Sequence, residues 1–81
     1  MGIAEQVRSF IRESFFVEQF EDGDSFLRAG IIDSMGMLQL VAFVEETFGF
    51  DVADEDLVPA NFDSLASLTA YVEQKRKRQT A

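Results

Sequence analysis

Neither cysteine nor histidine occurs in this chain. Without cysteine there are no disulfides, no thiolate nucleophile and no zinc–thiolate site. Without histidine, the side chain best suited to proton transfer near neutral pH is missing. Tryptophan is absent and proline occurs once. No run of about 20 apolar residues exists to span a bilayer. The start, Met1-Gly2-Ile3-Ala4-Glu5-Gln6, lacks the basic lead and apolar stretch of a signal peptide. Gln6 stands where an N-myristoylation motif has Ser or Thr. The expectation is a cytoplasmic protein with no integral membrane association.

Basic residues are scarce through the middle of the chain. From Glu13 to Asp56, twelve acids face Arg28 alone, a net charge of −11 within a total of −8. Such a field repels nucleic acid and anionic membranes. It attracts proteins with basic patches and speeds their encounter. A merely soluble acidic surface would have the same composition.

What the chain does have is apolar bulk: 47% hydrophobic residues, nine of them Phe. Its 81 residues fit one compact domain. A domain this small buries only about 60% of its unfolded surface, so large side chains must fill the core. The whole chain, 1–81, reads as one domain with its core over about 3–77 and a basic tail at 75–81.

The pattern is helical throughout. Ile3, Val7, Phe10, Ile11 and Phe15 predict an amphipathic helix over 3–15. The stretch 16–33 has no sustained period, yet it holds Phe16, Val17, Phe20, Phe26, Leu27, Ile31 and Ile32. So apolar a connection has to pack on the body of the domain. Asp24 and Ser25 are placed to begin a short turn of helix at Phe26–Arg28, and Gly30 to end it.

A second helix is expected over 34–48, capped by Asp33 or Ser34 and ended by Gly49. Met37, Leu40, Val41, Val44 and Phe48 form its core face. An acidic turn follows at Asp54-Glu55-Asp56. Pro59 suits the start of a short third helix through about Phe62. Asp63 or Ser64 can cap a last helix over about 65–77, with Leu65, Leu68, Tyr71 and Val72 inward. Lys75, Arg76, Lys77 and Arg78 complement the dipole at its C-terminal end. No alternating strand appears. The fold class is therefore all-α, with three longer helices, one short helix and a long first connection.

The segment Leu27-Arg28-Ala29-Gly30-Ile31-Ile32-Asp33-Ser34-Met35-Gly36 sets a Ser beside an Asp at the mouth of a helix. The hydroxyl can attack an activated phosphate. The helix N-terminus offers N–H groups and partial positive charge to a phosphate held there afterwards. Asp33 is a hook for a basic residue or a metal ion on a modifying enzyme. The plain alternative is that Ser34 only caps a helix. The second helix also carries Met35, Leu38 and Ala42 on another side, flanked by Gln39, Glu45 and Glu46. A second apolar stripe rimmed by acids reads as a docking surface, or as a face covered by the long connection.

At these residues the chain resembles the acyl carrier protein family, including aminoacyl and peptidyl carrier domains. The resemblance rests on Gly30 with Asp33-Ser34-Met35, on Leu40-Val41, and on Glu45-Glu46-Thr47-Phe48-Gly49. Val52 with the acidic turn, and Asn61-Phe62-Asp63-Ser64-Leu65, extend it over nearly the whole chain. It implies a four-helix bundle of carrier type, a monomer without catalytic activity of its own. It implies a 4'-phosphopantetheine arm on Ser34, with Asp33 as the motif acid. The arm comes from coenzyme A through a phosphopantetheinyl transferase that uses Mg2+, and it holds acyl or aminoacyl groups as thioesters.

Met35, Gln39, Ala42, Glu45 and Glu46 match positions that commonly contact partner enzymes. The implied partners are the transferase, a loading ligase or acyltransferase, and downstream synthase or tailoring enzymes. Ile32, Gly36, Gln39 and Ala42 depart from members serving fatty-acid synthesis. The Gly30–Met35 and Asn61–Leu65 segments look more like free-standing carriers of specialised-metabolite pathways, or D-alanyl carriers.

Two other readings compete. A protein–protein interaction module would use the same helices, with Ser34 as an N-cap and no arm. A Ser34 hydrolase is disfavoured: the residues around Ser34 superficially resemble a nucleophile elbow, but no His is there to act as base. Asp22-Gly23-Asp24 lacks the spacing of a calcium loop, and no metal site is expected.

Mutual repulsion among so many acids opposes folding. Added NaCl or Mg2+ is therefore expected to raise the melting temperature, followed by circular dichroism. A flat response would contradict the repulsion.

Overall fold

The structure is a computed structural model that describes residues 2–80, with side chains through Lys77. Arg78's side chain and Ala81, both in the basic tail, lie outside the described residues. The elements are α1 (Ile3–Phe15), α2 (Ser34–Phe48), a 3-10 turn (Asp54–Asp56), α3 (Pro59–Phe62) and α4 (Leu65–Thr80). No strand occurs among the described residues. The chain is an all-helical four-helix bundle, and α4 packs against the other three helices.

The core forms where the helix stripes meet. Val7 and Ile11 of α1, Leu40 and Val44 of α2, and Leu65, Leu68 and Val72 of α4 are buried. Each such side chain contributes roughly 1.5–3 kcal/mol through burial. Phe43 adds a seam that the stripe alone does not reveal. Its ring stacks on Phe10 with centroids 4.2 Å apart, and Phe48 meets it edge-on. Aromatic pairing of this kind ties α1 to α2.

The long connection packs as its composition requires. Phe20, Phe26 and Ile32 are buried in the same core. Arg8 of α1 fastens its first half: Nη1 donates to the Phe20 carbonyl at 2.7 Å, and Nη2 pairs with the Asp22 carboxylate. The guanidinium also lies over the Phe20 ring. The Ala66 N–H of α4 donates to the Asp22 carbonyl at 2.9 Å.

Two features of this connection differ from the sequence reading. Phe26–Arg28 is a set of hydrogen-bonded turns, not a turn of helix. The Phe26 carbonyl accepts from both Ile31 and Ile32 N–H, which reverses the chain before a helix can propagate. Gly30, at φ 71°, takes the left-handed conformation this reversal needs. Phe16, moreover, closes α1 in a left-handed conformation and is 91% exposed, so it does not join the core. α4 also runs a turn longer than expected, to Thr80, since no Gly or Pro follows Lys77 to stop it.

Gly36 has a packing role. A Cβ there would sit 2.6 Å from Phe15 Cε1 and 3.0 Å from Ile32 Cγ2. Only glycine lets the end of α1 approach the first turn of α2 so closely. Gly36→Ala is expected to lower stability by about 1–3 kcal/mol through overpacking, despite alanine's ~1 kcal/mol advantage inside a helix. Urea denaturation measures the change, and adding Phe15→Leu should recover part of it. A stabilising Gly36→Ala would refute the close approach.

Candidate functional site at the head of the second helix

Ile31 and Ile32 enter the site already fixed, because both N–H groups are held by Phe26. Asp33 follows in extended conformation and caps α2. Its carboxylate accepts from the Gly36 N–H at 2.6 Å, and its carbonyl accepts from the Met37 N–H at 2.9 Å. A Cβ at position 36 would also stand 3.1 Å from Asp33 Oδ1, a tight contact beside the cap.

Ser34 is thus the first residue of the helix, not its cap. The reading that leaves Ser34 as an N-cap is corrected on this point, since Asp33 performs that work. Ser34 is exposed, and its hydroxyl has no hydrogen-bond partner among the described residues. The Ser34 and Met35 N–H groups lie in the first turn, where a helix has no internal acceptors for them. A phosphate on Ser34 Oγ would meet these donors and the positive end of the helix dipole. The residues therefore fit a phosphate-linked prosthetic group.

The outer face of α2 continues from this point. Met35 is 74% and Leu38 64% exposed, so the connection does not cover them. Gln39, Ala42 and Glu46 are exposed as well. Glu45 is set apart. It is half-buried, and its carboxylate accepts from the Val52 N–H at 2.8 Å. The chain turns back after Gly49 and brings that amide within reach. A Glu in the last turn before a helix-ending Gly is the only sequence signal for such a contact.

Other acids are also engaged. The Asp56 carboxylate accepts from the Tyr71 hydroxyl at 2.8 Å and pairs with Lys75 at 3.4 Å. Asp24, set aside above as a calcium ligand, accepts from the Glu21 N–H, and Asp22 pairs with Arg8. Ser64, not Asp63, caps α4, accepting from the Ser67 N–H at 3.1 Å. Asp63 instead reaches the long connection, a contact that sequence reasoning missed. Beside it lies an apolar depression of about 120 Å³ lined by Leu27, Met37, Leu57, Val58, Pro59, Phe62 and Asp63.

An exposed serine at a capped helix mouth thus stands within an all-helical bundle. The chain belongs to the phosphopantetheine attachment site family, which matches residues 5–72. A D-alanyl carrier protein from Abiotrophia defectiva is 34% identical over 73 residues, covering 88% of this chain and 92% of that protein. A solved structure described as the crystal structure of an FAD-dependent dehydrogenase is similar in fold. Its TM-score is 0.72 at 25% identity, covering 82% of this chain and 97% of that one. That similarity gives the helix arrangement.

The protein is therefore a carrier, not itself a catalyst, and its prosthetic group is 4'-phosphopantetheine. Carriers of this kind work with a phosphopantetheinyl transferase and with ligases or synthases. Among the described residues, no helix is long and apolar enough to cross a membrane.

The two neighbouring glutamates are expected to behave differently on charge reversal. Glu45→Lys loses the Val52 contact and should cost about 1–2 kcal/mol of stability. Glu46→Lys should stay within about 0.5 kcal/mol of the parent, as surface substitutions usually do. Urea midpoints measure both, and equal effects would place Glu45 outside the fold's support.

Proposed function

We propose that Ser34 is the attachment point of the 4'-phosphopantetheine arm. The carrying observation is the division of labour at the helix mouth: Asp33 caps, and Ser34 Oγ stays exposed and unpartnered. During loading, Ser34 Oγ forms a bond to the pantetheine-bearing phosphorus of coenzyme A. Adenosine 3',5'-bisphosphate leaves, and the hydroxyl proton passes to the transferase. The arm then supplies a terminal thiol that holds an acyl or aminoacyl group as a thioester. The tether raises the effective concentration of that group at each partner's active site.

Asp33 keeps one face of its carboxylate outward and serves as the hook for the transferase and its Mg2+. Met35, Leu38, Gln39, Ala42 and Glu46 form the face that partners read, with Glu45 at its supported edge. Apolar contact flanked by acid suits transient docking to basic partner surfaces. The partners on this reading are the transferase, a loading ligase or acyltransferase, and a downstream synthase or tailoring enzyme. Residues 1–81 act as one carrier domain, cytoplasmic and monomeric, with a core over about 3–77.

The depression beside α3 supports a small cargo. At about 120 Å³ it is far below the roughly 300 Å³ at which pockets enclose drug-sized ligands. It shields a short acyl or aminoacyl group better than a long chain. The likeness to a D-alanyl carrier supports the aminoacyl side of that choice.

Incubation with coenzyme A, Mg2+ and a broad-specificity transferase tests the attachment by intact-protein mass spectrometry. The wild-type chain should gain the mass of one phosphopantetheine. Ser34→Ala should gain none while keeping its stability within about 0.5 kcal/mol, because the hydroxyl supports nothing in the fold. An unmodified wild type, properly folded, would end the proposal.

A further inference from the structure

Asp63 stands between α3 and α4 and holds a part of the chain far from it in sequence. Its carboxylate accepts from the Ser25 hydroxyl and, through Oδ1, from the Leu27 N–H at 3.1 Å. Its carbonyl accepts from the Phe26 N–H at 2.8 Å. Ser25 and Leu27 lie 38 and 36 residues away. The Ser25 oxygen in turn accepts from the Arg28 N–H at 3.2 Å. Hydrogen bonds to an ionised carboxylate are about twice as strong as neutral ones.

The grip has a direct continuation to the helix mouth. Phe26, held at its N–H by Asp63, accepts at its carbonyl from Ile31 and Ile32. Ile32 is buried and adjoins Asp33, the cap of α2. Ser34 is next. Arg8 and Ala66 hold the connection only at residues 20 and 22. Residues 27–30 are exposed. The approach to Ser34 is thus fixed by Asp63 at one end and by the α2 cap at the other.

We propose that Asp63 is a positioning residue for Ser34, setting the segment 26–33 in the one arrangement that a modifying enzyme accepts. The inference rests on the assignment of Ser34 as the attachment point. A transferase that must engage Asp33 and Ser34 together requires their geometry to be held within about 0.5 Å. Removing the Asp63 carboxylate frees the Leu27 N–H and the Ser25 hydroxyl, while the Asp63 carbonyl keeps Phe26. The loosened segment samples other arrangements, and only the competent fraction is a substrate. Apparent affinity for the carrier falls by that fraction, while turnover of the bound carrier is unchanged.

The test compares the wild type, Asp63→Ala, Asp63→Asn and Ser25→Ala in phosphopantetheinyl transfer. Native-state hydrogen exchange is measured on the same proteins. Asp63→Ala should raise KM for the carrier about tenfold with kcat within about twofold. Asp63→Asn, which retains an oxygen to accept from Leu27, should fall between it and the wild type. Ser25→Ala should do likewise. Exchange should quicken at the Leu27, Ile31 and Ile32 amides and stay unchanged at Ile11, Val44 and Leu68.

Wild-type KM in the Ala variant would overturn the proposal. So would faster exchange everywhere, which would make Asp63 a general stabiliser. If Asp63→Ala does not fold, the Asn and Ser25 variants decide by the same two readouts. If the wild type itself takes no arm, the assignment of Ser34 has failed instead. Exchange at Ile31 and Ile32 then decides alone whether Asp63 sets this segment, and unchanged exchange there overturns it.

Discussion

A helix start leaves backbone donors without partners, and some side chain has to answer them. Here Asp33 answers through the Gly36 N–H, and that bond organises its surroundings. It fixes where α2 begins. Its donor is a glycine, whose missing Cβ admits Phe15 against the helix and brings α1 alongside. It also relieves the adjacent serine of any structural duty. On the proposed attachment, the Asp33–Ser34 pair separates by one residue the side chain that holds the fold from the one that is modified.

The acidic character of the chain divides in a similar way. Asp22, Asp33, Glu45, Asp56 and Asp63 each meet a donor within the protein. Most of those donors are backbone amides or hydroxyls, while Arg8 and Lys75 add ion pairs to Asp22 and Asp56. Carboxylates serve as local acceptors at turns and helix ends, where the backbone has donors to spare. Glu46 and the remaining exposed acids give the surface its field. Charge that looks uniform in the sequence thus has two physical uses.

The fold was legible where local signals carried it. The bounds of α1 and α2 follow from apolar spacing, from Asp33 and from Gly49. The burial of the long connection follows from its composition. The family resemblance carried by the residues around Ser34 is borne out by the family match, while the assignment of Ser34 itself is the proposal made above. Other contacts had no local signature. Glu45 meets an amide seven residues on, and Asp63 meets groups more than thirty residues back. Neither partner is distinguished by its side chain's charge. The close approach at Gly36 had no local signature either, because the ring it accommodates belongs to another helix. Phe16 read as core, because composition cannot say that its backbone turns left-handed and points the ring outward.

The contacts of α4 bear on how the protein is made. This helix touches each of the other three and supplies Leu65, Leu68 and Val72 to the shared interior. A growing chain emerges from the ribosome N-terminus first, so α1 and α2 are exposed before their common support exists. The bundle closes only once α4 has cleared the exit tunnel. Until α4 has emerged, a nascent chain therefore presents Ser34 on an unfinished scaffold.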